Sequence, residues 1–280
     1  MFVALNGTLL AGGKAGWPDM ARLAARVGFP GVDVSLGPAM NAGAPATAAL
    51  LEHLRLRPSV VGFPVEFRKD DATFQSGLAH LAAAAEFATA IGCPRMTTWI
   101  LSSSDRPKAE LREVYRQRFT AAAQVLARSG VRLGLEFLGP LHLRKTGPYE
   151  FIWRMGEMVE FAAACGPNVG LLLDAWHWHH AGATPADILA AGRSRIVHVH
   201  VSDARRQPPE EVRDNDRLMP GEGVIDLTGF FRALQKIGYN DAGSVEVFGR
   251  GLKQMAPEEG ARLGLETARK AMEKAGVPWK

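Results

Sequence analysis

The sequence predicts an α/β protein with a single (β/α)8 barrel, the TIM-barrel fold, and three observations support this prediction. Short apolar runs alternate eight times with longer segments whose apolar residues have helical spacing. The length of 280 residues fits one such barrel, which typically needs about 250 residues. No Gly-x-Gly-x-x-Gly or Walker sequence follows the first run, although an open sheet that binds a nucleotide usually has one.

The first half of the chain contains four strand–helix pairs. The predicted strands are Phe2–Leu5 and residues 31–36, 58–63 and 95–101, and the predicted helices are residues 18–27, 46–56, 73–91 and 107–129. The strands are rich in Val, Ile, Thr and aromatic residues, which favour extended chain. Gly28 and Gly92 follow the first and third helices and are typical helix-ending residues. Each short strand is therefore followed by a helix, as a parallel barrel requires.

The second half repeats this pattern, and each of its four strands carries a polar residue late in an apolar run. These residues are Glu136 in GLEFLG, Asp174 in VGLLLDAWH, His200 in IVHVHVSD and Glu246 in GSVEVFG. The predicted helices are residues 149–165, a short helix that starts at Thr184-Pro185, residues 227–237 and Pro257–Lys274. Threonine caps helices and proline fits their first turn, which locates the start of the short helix. No linker interrupts the series, so residues 1–280 are predicted to form one domain.

The four polar strand ends predict a metal site. A lone carboxylate at a strand end is usually a salt-bridge partner or a cap, but parallel strands of a barrel all deliver their C-terminal ends to the face where active sites lie. Glu136, Asp174, His200 and Glu246 together suit one divalent ion, with Mn²⁺ preferred and Mg²⁺, Co²⁺ or Zn²⁺ also compatible. Such an ion polarises a carbonyl, while two glutamates could remove and return a proton on opposite faces of a substrate. His198 lies deeper on the same strand and is interpreted as a buried structural histidine.

Composition restricts the partners and the compartment. The net charge is +4, but basic and acidic residues are interleaved on the predicted helix faces, so nucleic acid is not an expected partner. No apolar stretch is long enough to span a membrane, and the N-terminus resembles a first strand more than a signal peptide. Cys93 and Cys165 do not form a disulfide framework, which predicts a cytoplasmic protein.

The motifs of the second half resemble those of the sugar isomerase and epimerase superfamily with a xylose isomerase-like barrel, and most closely its inosose (2-keto-myo-inositol) isomerase group. GLEF, NVGLLLDAWHWH, HVHVSD, DNDRLMPGEGVID and SVEVF carry this resemblance from about residue 131 onward. It implies a metal held by Glu136, Asp174, His200 and Glu246, with the two glutamates as acid/base pair. It also implies that His177 and Arg217 bind substrate, and that the protein forms a homodimer or homotetramer.

Several functions remain open at this stage. The preferred one is a metal-dependent isomerase or epimerase of a keto-sugar or keto-cyclitol, acting through an enediolate. A dehydratase of a keto-cyclitol or a 3-dehydroshikimate-like substrate would use the same site, and a sugar-binding barrel without activity is a further alternative. An apurinic endonuclease-type hydrolase is less favoured, because predicted strands two to four end without the histidines of a multi-metal cluster. Glu66 and Trp99, near the ends of predicted strands three and four, are expected to contribute to substrate binding.

Overall fold

Eight parallel strands close into one barrel in the computed structural model, which describes residues 1–13 and 16–278. The strands are β1 (Phe2–Leu5), β2 (Gly31–Val34), β3 (Arg57–Gly62), β4 (Arg95–Ile100), β5 (Arg132–Phe137), β6 (Val169–Asp174), β7 (Ile196–Val201) and β8 (Ala242–Val245). Their order around the barrel is β1-β8-β7-β6-β5-β4-β3-β2, and β8 closes on β1 in parallel register. The predicted TIM-barrel fold is confirmed.

Helices cover the outside of the barrel. They are α1 (Asp19–Val27), α2 (Leu36–Ala42), α3 (Ala44–His53), α4 (Asp71–Ala90), α5 (Lys108–Ala127), α6 (Leu141–Arg144), α7 (Met155–Cys165), α8 (Ala175–His180), α9 (Pro185–Arg195), α10 (Leu227–Lys236) and α11 (Pro257–Lys274). Two 3₁₀ helices, Gly7–Leu10 and Leu252–Gln254, lie in the loops after β1 and β8. Within the described residues, none of these helices has the length and apolarity needed to cross a membrane.

The strands that carry the metal candidates are buried on both faces, as strands of parallel sheets usually are. Every residue of β6 and of β7 is buried. Gly170 in β6 allows the backbone just before β7 to come close, because a Cβ atom there would lie 2.3 Å from the carbonyl oxygen of Arg195. The polar groups at the ends of these strands are therefore supported by closely packed, buried strands.

Two predicted elements differ from the structure. Residues 149–165 were expected to form one helix, but Tyr149–Glu150 pairs antiparallel with Ser103–Ser104 and the helix begins only at Met155. The reason is that Tyr, Phe, Ile and Trp in the segment YEFIW favour extended chain. The strand predicted for residues 31–36 ends at Val34, and the following residues form α2 instead of a loop.

Candidate metal centre

Four side chains from consecutive strands meet at the C-terminal end of the barrel. Glu136 lies in β5, Asp174 ends β6, His200 lies in β7 and Glu246 directly follows β8. One ligand atom from each lies within 4.8 Å of the others. Asp174 and His200 are register partners on paired strands, so their side chains point to the same side of the sheet. The structure thus brings together the four residues that the sequence suggested as ligands.

The geometry around His200 suits a divalent cation. Its Nδ1 atom lies 3.3 Å from Oε2 of Glu246, 3.8 Å from Oε1 of Glu136 and 3.8 Å from Oδ2 of Asp174. Nδ1 of His200 and Oε1 of Glu136 are both buried and have no hydrogen-bond partner within the described residues. Buried polar atoms are normally satisfied. One imidazole and three carboxylates that converge with unpartnered atoms therefore fit a bound divalent ion.

Asp174 is held in place from the following helix. Its Oδ1 atom accepts hydrogen bonds from the backbone N–H groups of Trp176 (2.6 Å) and His177 (3.1 Å), so that it caps α8. The other oxygen, Oδ2, takes no part in the cap and faces His200. The side chain therefore serves both as a helix cap, which the sequence allowed, and as a member of the cluster.

Arg217 reaches into the cluster from the long loop between β7 and α10. Its Nη1 atom donates to Oδ2 of Asp174 (2.8 Å) and to Oε2 of Glu246 (3.1 Å). Its Nε and Nη2 atoms donate to Oδ1 of Asp214, at 3.0 and 2.7 Å. The side chain of Arg217 is only 1% exposed. A buried guanidinium therefore partly balances the charge of the carboxylates.

Burial and mutual repulsion shift the protonation of the cluster. Burial raises the pKa of Glu136 well above its usual value, and the neighbouring Glu246 and Asp174 raise it further. Burial acts to lower the pKa of His200, but the surrounding carboxylates outweigh it and raise this pKa to about 10. Burial acts to raise the pKa of Asp174, but Arg217 and the nearby histidines hold it below its usual range. Without an ion, the cluster therefore retains protons.

A second polar group lies deeper in the barrel, and sequence reasoning did not identify its central residue, Asp33. The carboxylate of Asp33 accepts hydrogen bonds from Asn6 (2.8 Å), Ser244 (2.5 Å) and Ser59. Nε2 of His198 lies 3.0 Å from Oγ of the same Ser244. The only sequence signal was Asp33 itself in the alternating strand GVDV. His198 is completely buried, as expected.

The four predicted substrate-binding residues lie in different places. His177 is buried, and its Nε2 atom lies 3.3 Å from Nη2 of Arg217. Trp99 is the register partner of Glu136, so its exposed ring lies on the same side of the sheet. Glu66 lies beyond β3, where its carboxylate accepts a hydrogen bond from the backbone N–H of Arg68 (2.8 Å). Arg217 and His177 therefore adjoin the cluster directly, whereas Trp99 and Glu66 lie outside it.

A family model for the xylose isomerase-like TIM barrel matches residues 13–271. The chain belongs to this family. The resemblance inferred from the sequence motifs is thus confirmed.

Several proteins that are similar to this chain are enzymes. The inosose isomerase of Halalkalibacterium halodurans is 28% identical over 201 residues, which cover 71% of this chain and 69% of the relative. The inosose isomerase of Bacillus velezensis is 30% identical, over 60% of this chain and 58% of its own length. The 3-dehydroshikimate dehydratase of Pseudomonas putida is more distant, with 26% identity over 49% of this chain and 21% of its own length. These relatives support the prediction that the chain is an enzyme.

Solved structures share the whole architecture. A xylose isomerase domain protein from Alicyclobacillus acidocaldarius superposes with a TM-score of 0.90 and 29% identity, covering 98% of this chain and 99% of its own. The IOLI protein, solved with a bound zinc atom, superposes with a TM-score of 0.83 at 20% identity, with 98% and 99% coverage. At this lower identity, the similarity between IOLI and this chain shows a shared fold alone.

Proposed function

We propose that this protein is a divalent-metal-dependent isomerase or epimerase of a keto-sugar or keto-cyclitol, with an inosose-like cyclitol as the favoured substrate class. The observation that carries the proposal is the convergence of Glu136, Asp174, His200 and Glu246, with two buried ligand atoms unpartnered within the described residues. The inosose isomerases among the relatives support the substrate class.

The proposed metal ligands are Glu136, Asp174, His200 and Glu246. Mn²⁺, which accepts both carboxylate and imidazole ligands, is the favoured ion, and Mg²⁺, Co²⁺ or Zn²⁺ are also compatible with three carboxylates and one imidazole. When bound there, the ion supplies Lewis-acid polarisation of a carbonyl, which stabilises an enediolate.

Glu136 and Glu246 are the proposed acid and base. They reach the centre from β5 and from the end of β8, and β6 and β7 lie between these strands. The two carboxylates therefore approach a substrate from different sides. One removes a proton from the carbon beside the carbonyl and the other returns a proton. Proton return to a different carbon gives an isomer, and return to the opposite face of the same carbon gives an epimer.

Arg217 and His177 are proposed to contribute to substrate binding, His177 through a hydrogen bond and Arg217 through its charge. Arg217 donates to Glu246 and is fixed by its other partners, so that its charge is presented at the centre. Burial lowers the pKa of His177 to about 4, so the imidazole is neutral at pH 7. Its Nδ1 atom has no partner within the described residues and can hydrogen-bond a hydroxyl group. Trp99 and Glu66 are proposed to contact the far side of the substrate.

A dehydratase is the second candidate, because the Pseudomonas putida relative is a 3-dehydroshikimate dehydratase. The enediolate that forms in isomerisation can instead expel a hydroxyl group from the adjacent carbon. The cytoplasmic location stays a prediction, and it is consistent with the two cysteines, which are free and buried. The homodimer or homotetramer also stays a prediction.

NMR spectroscopy in D₂O tests both candidates. Keto-cyclitols, ketohexoses and 3-dehydroshikimate are incubated with the Mn²⁺-loaded protein, and deuterium at the carbon beside the carbonyl is followed with time. Deuterium incorporation with an isomeric product supports the proposal, and an unsaturated product favours the dehydratase. If no compound gains deuterium or changes, while the protein binds Mn²⁺, the proposed chemistry is wrong.

A further inference from the structure

A single buried carboxylate, that of Asp203, organises the loop that carries Arg217. Asp203 lies just beyond β7, three residues after His200, and is 1% exposed. Its two oxygens accept four hydrogen bonds from backbone N–H groups, those of Ala204 (2.8 Å), Gly221 (3.0 Å), Gly223 (2.9 Å) and Ile225 (2.9 Å). The carboxylate therefore links the end of a barrel strand to the far part of the loop.

The backbone of Asp203 holds the loop at a second place, next to Arg217. The N–H of Asp203 donates to the carbonyl of Leu218 (2.9 Å), and the N–H of Leu218 donates to the carbonyl of Asp203 (2.8 Å). The N–H of Arg217 donates to the carbonyl of Phe248 (3.1 Å) on the other side. The direction in which the Arg217 side chain leaves the loop is thus set by main-chain contacts on both sides of it.

The glycines of the sequence PGEG are required by this arrangement. A Cβ atom on Gly223 would lie 2.2 Å from the carbonyl oxygen of Ala204 and 2.6 Å from Oδ1 of Asp203. Gly221 has a φ of +87°, in the left-handed region that favours glycine. Both residues donate their N–H groups to Oδ2 of Asp203. The local sequence therefore allows the loop backbone to wrap around this carboxylate.

We propose that Asp203 is a positioning residue for Arg217, holding its guanidinium against Asp174 and Glu246 through the loop. The effect on turnover rests on the function proposed above, whereas the effect on the loop does not. Asp203 itself has no contact with Glu136, Asp174, His200 or Glu246 among the hydrogen bonds and ion pairs of the described residues, so it acts through Arg217.

Hydrogen exchange of the Asp203→Asn variant tests the positioning without an activity assay. Whichever way the asparagine amide is turned, two of the four backbone N–H groups lose their acceptor. Exchange at these groups, and also at the amides of Arg217 and Leu218, is expected to become at least about tenfold faster. The matched control is Asp70→Asn, because Asp70 accepts a backbone hydrogen bond from Thr73 (2.8 Å) at the start of α4, outside this loop.

A double-mutant cycle with Arg217→Ala then tests the link to turnover. Asp203→Asn alone is expected to lower kcat/KM by about 10- to 100-fold, because a small displacement of a positioned group has a large effect on rate. In the Arg217→Ala background the same change is expected to have little further effect. Asp70→Asn is expected to leave both exchange in the loop and turnover unchanged.

Two results would overturn the proposal. Faster exchange confined to Ala204 and residues 221–225, with Arg217 and Leu218 still protected, would mean that Asp203 holds only its own backbone donors and does not position Arg217. Fully additive effects of Asp203→Asn and Arg217→Ala on kcat/KM would show that Asp203 acts by another route. If no substrate is turned over, the proposed function fails, but the exchange measurement still decides whether Asp203 positions Arg217.

Discussion

The Nη1 atom of Arg217 lies 2.8 Å from Oδ2 of Asp174, and both side chains are almost completely buried. This ion pair joins the loop after β7 to the end of β6, although 43 residues separate its members along the chain. The same carboxylate oxygen faces Nδ1 of His200 at 3.8 Å. Arg217 therefore balances part of the negative charge of the cluster of acidic groups when no ion is bound.

Replacement of Arg217 by methionine is expected to destabilise the metal-free protein. The change removes the guanidinium that forms an ion pair with the buried Asp174, and breaking such a buried pair typically costs about 3–5 kcal/mol. Mn²⁺ is expected to restore much of this stability, because it supplies positive charge to the same oxygens. The free energy of unfolding is measured in urea with EDTA and with Mn²⁺. Arg262→Met is the control, since Arg262 forms an exposed ion pair with Glu258 (3.1 Å) and such a pair contributes only about 0.3–0.5 kcal/mol.

Glu246→Gln is expected to lower kcat by about 10²- to 10⁴-fold, the range typical of a lost acid or base. The substitution preserves shape and removes the group that carries the proton, so the fold is expected to remain. The same result is expected for Glu136→Gln. Turnover is measured by deuterium incorporation in D₂O, with circular dichroism as the test of folding. Glu113→Gln, which changes an exposed carboxylate on α5, serves as control; equal losses in all three variants would contradict the assignment.

Metal binding is expected to release protons and to strengthen as the pH rises. Metal ligands must be deprotonated, yet the carboxylates around His200 raise its pKa to about 10, and burial raises that of Glu136 as well. At pH 7 the metal-free cluster therefore holds protons that the ion must displace, about one or two per site. Calorimetric titration with Mn²⁺ in two buffers of different ionisation enthalpy measures this number.

His200→Ala should abolish the proton-linked binding of Mn²⁺, whereas His80→Asn, at an exposed position on α4, should not change it. Binding with no proton release between pH 6 and pH 8 would mean that the ion does not use His200 and Glu136.

Gly223→Ala is expected to disturb the loop around Asp203. The added methyl group overlaps the carbonyl oxygen of Ala204 and the Asp203 carboxylate, and overpacking of this kind typically costs about 1–3 kcal/mol. The urea midpoint should fall, and the N–H of Gly221 should exchange faster. Gly156→Ala in α7 is the control, because nothing lies within 4 Å of its added Cβ atom and alanine favours a helix. If the Gly223→Ala variant is as stable as the unchanged protein, the loop can relax around the methyl group.

Much of the architecture was predictable, because strand and helix periodicities are local properties of the chain. The strand ends at Glu136, Asp174, His200 and Glu246 were recognised for this reason, and a parallel barrel necessarily brings them to one face. The segment Tyr149–Glu150 was misjudged because its strand partner, Ser103–Ser104, lies more than 40 residues away. The residues YEFIW favour extended chain locally, but only the contact with Ser103–Ser104 decides which of them form a strand.

The sequence by itself determined the barrel and which polar residues meet at one of its ends, because the alternation of strands and helices fixes which residues end on the same side. Only the tertiary structure decided that Asp33 lies beneath the cluster and that Asp203 accepts hydrogen bonds from the loop that carries Arg217. A carboxylate is recognised as an anchor only when its donors are known, and four distant segments supply the donors of these two residues. The local chain thus specifies which groups are present, whereas strand pairing and loop closure decide which of them meet.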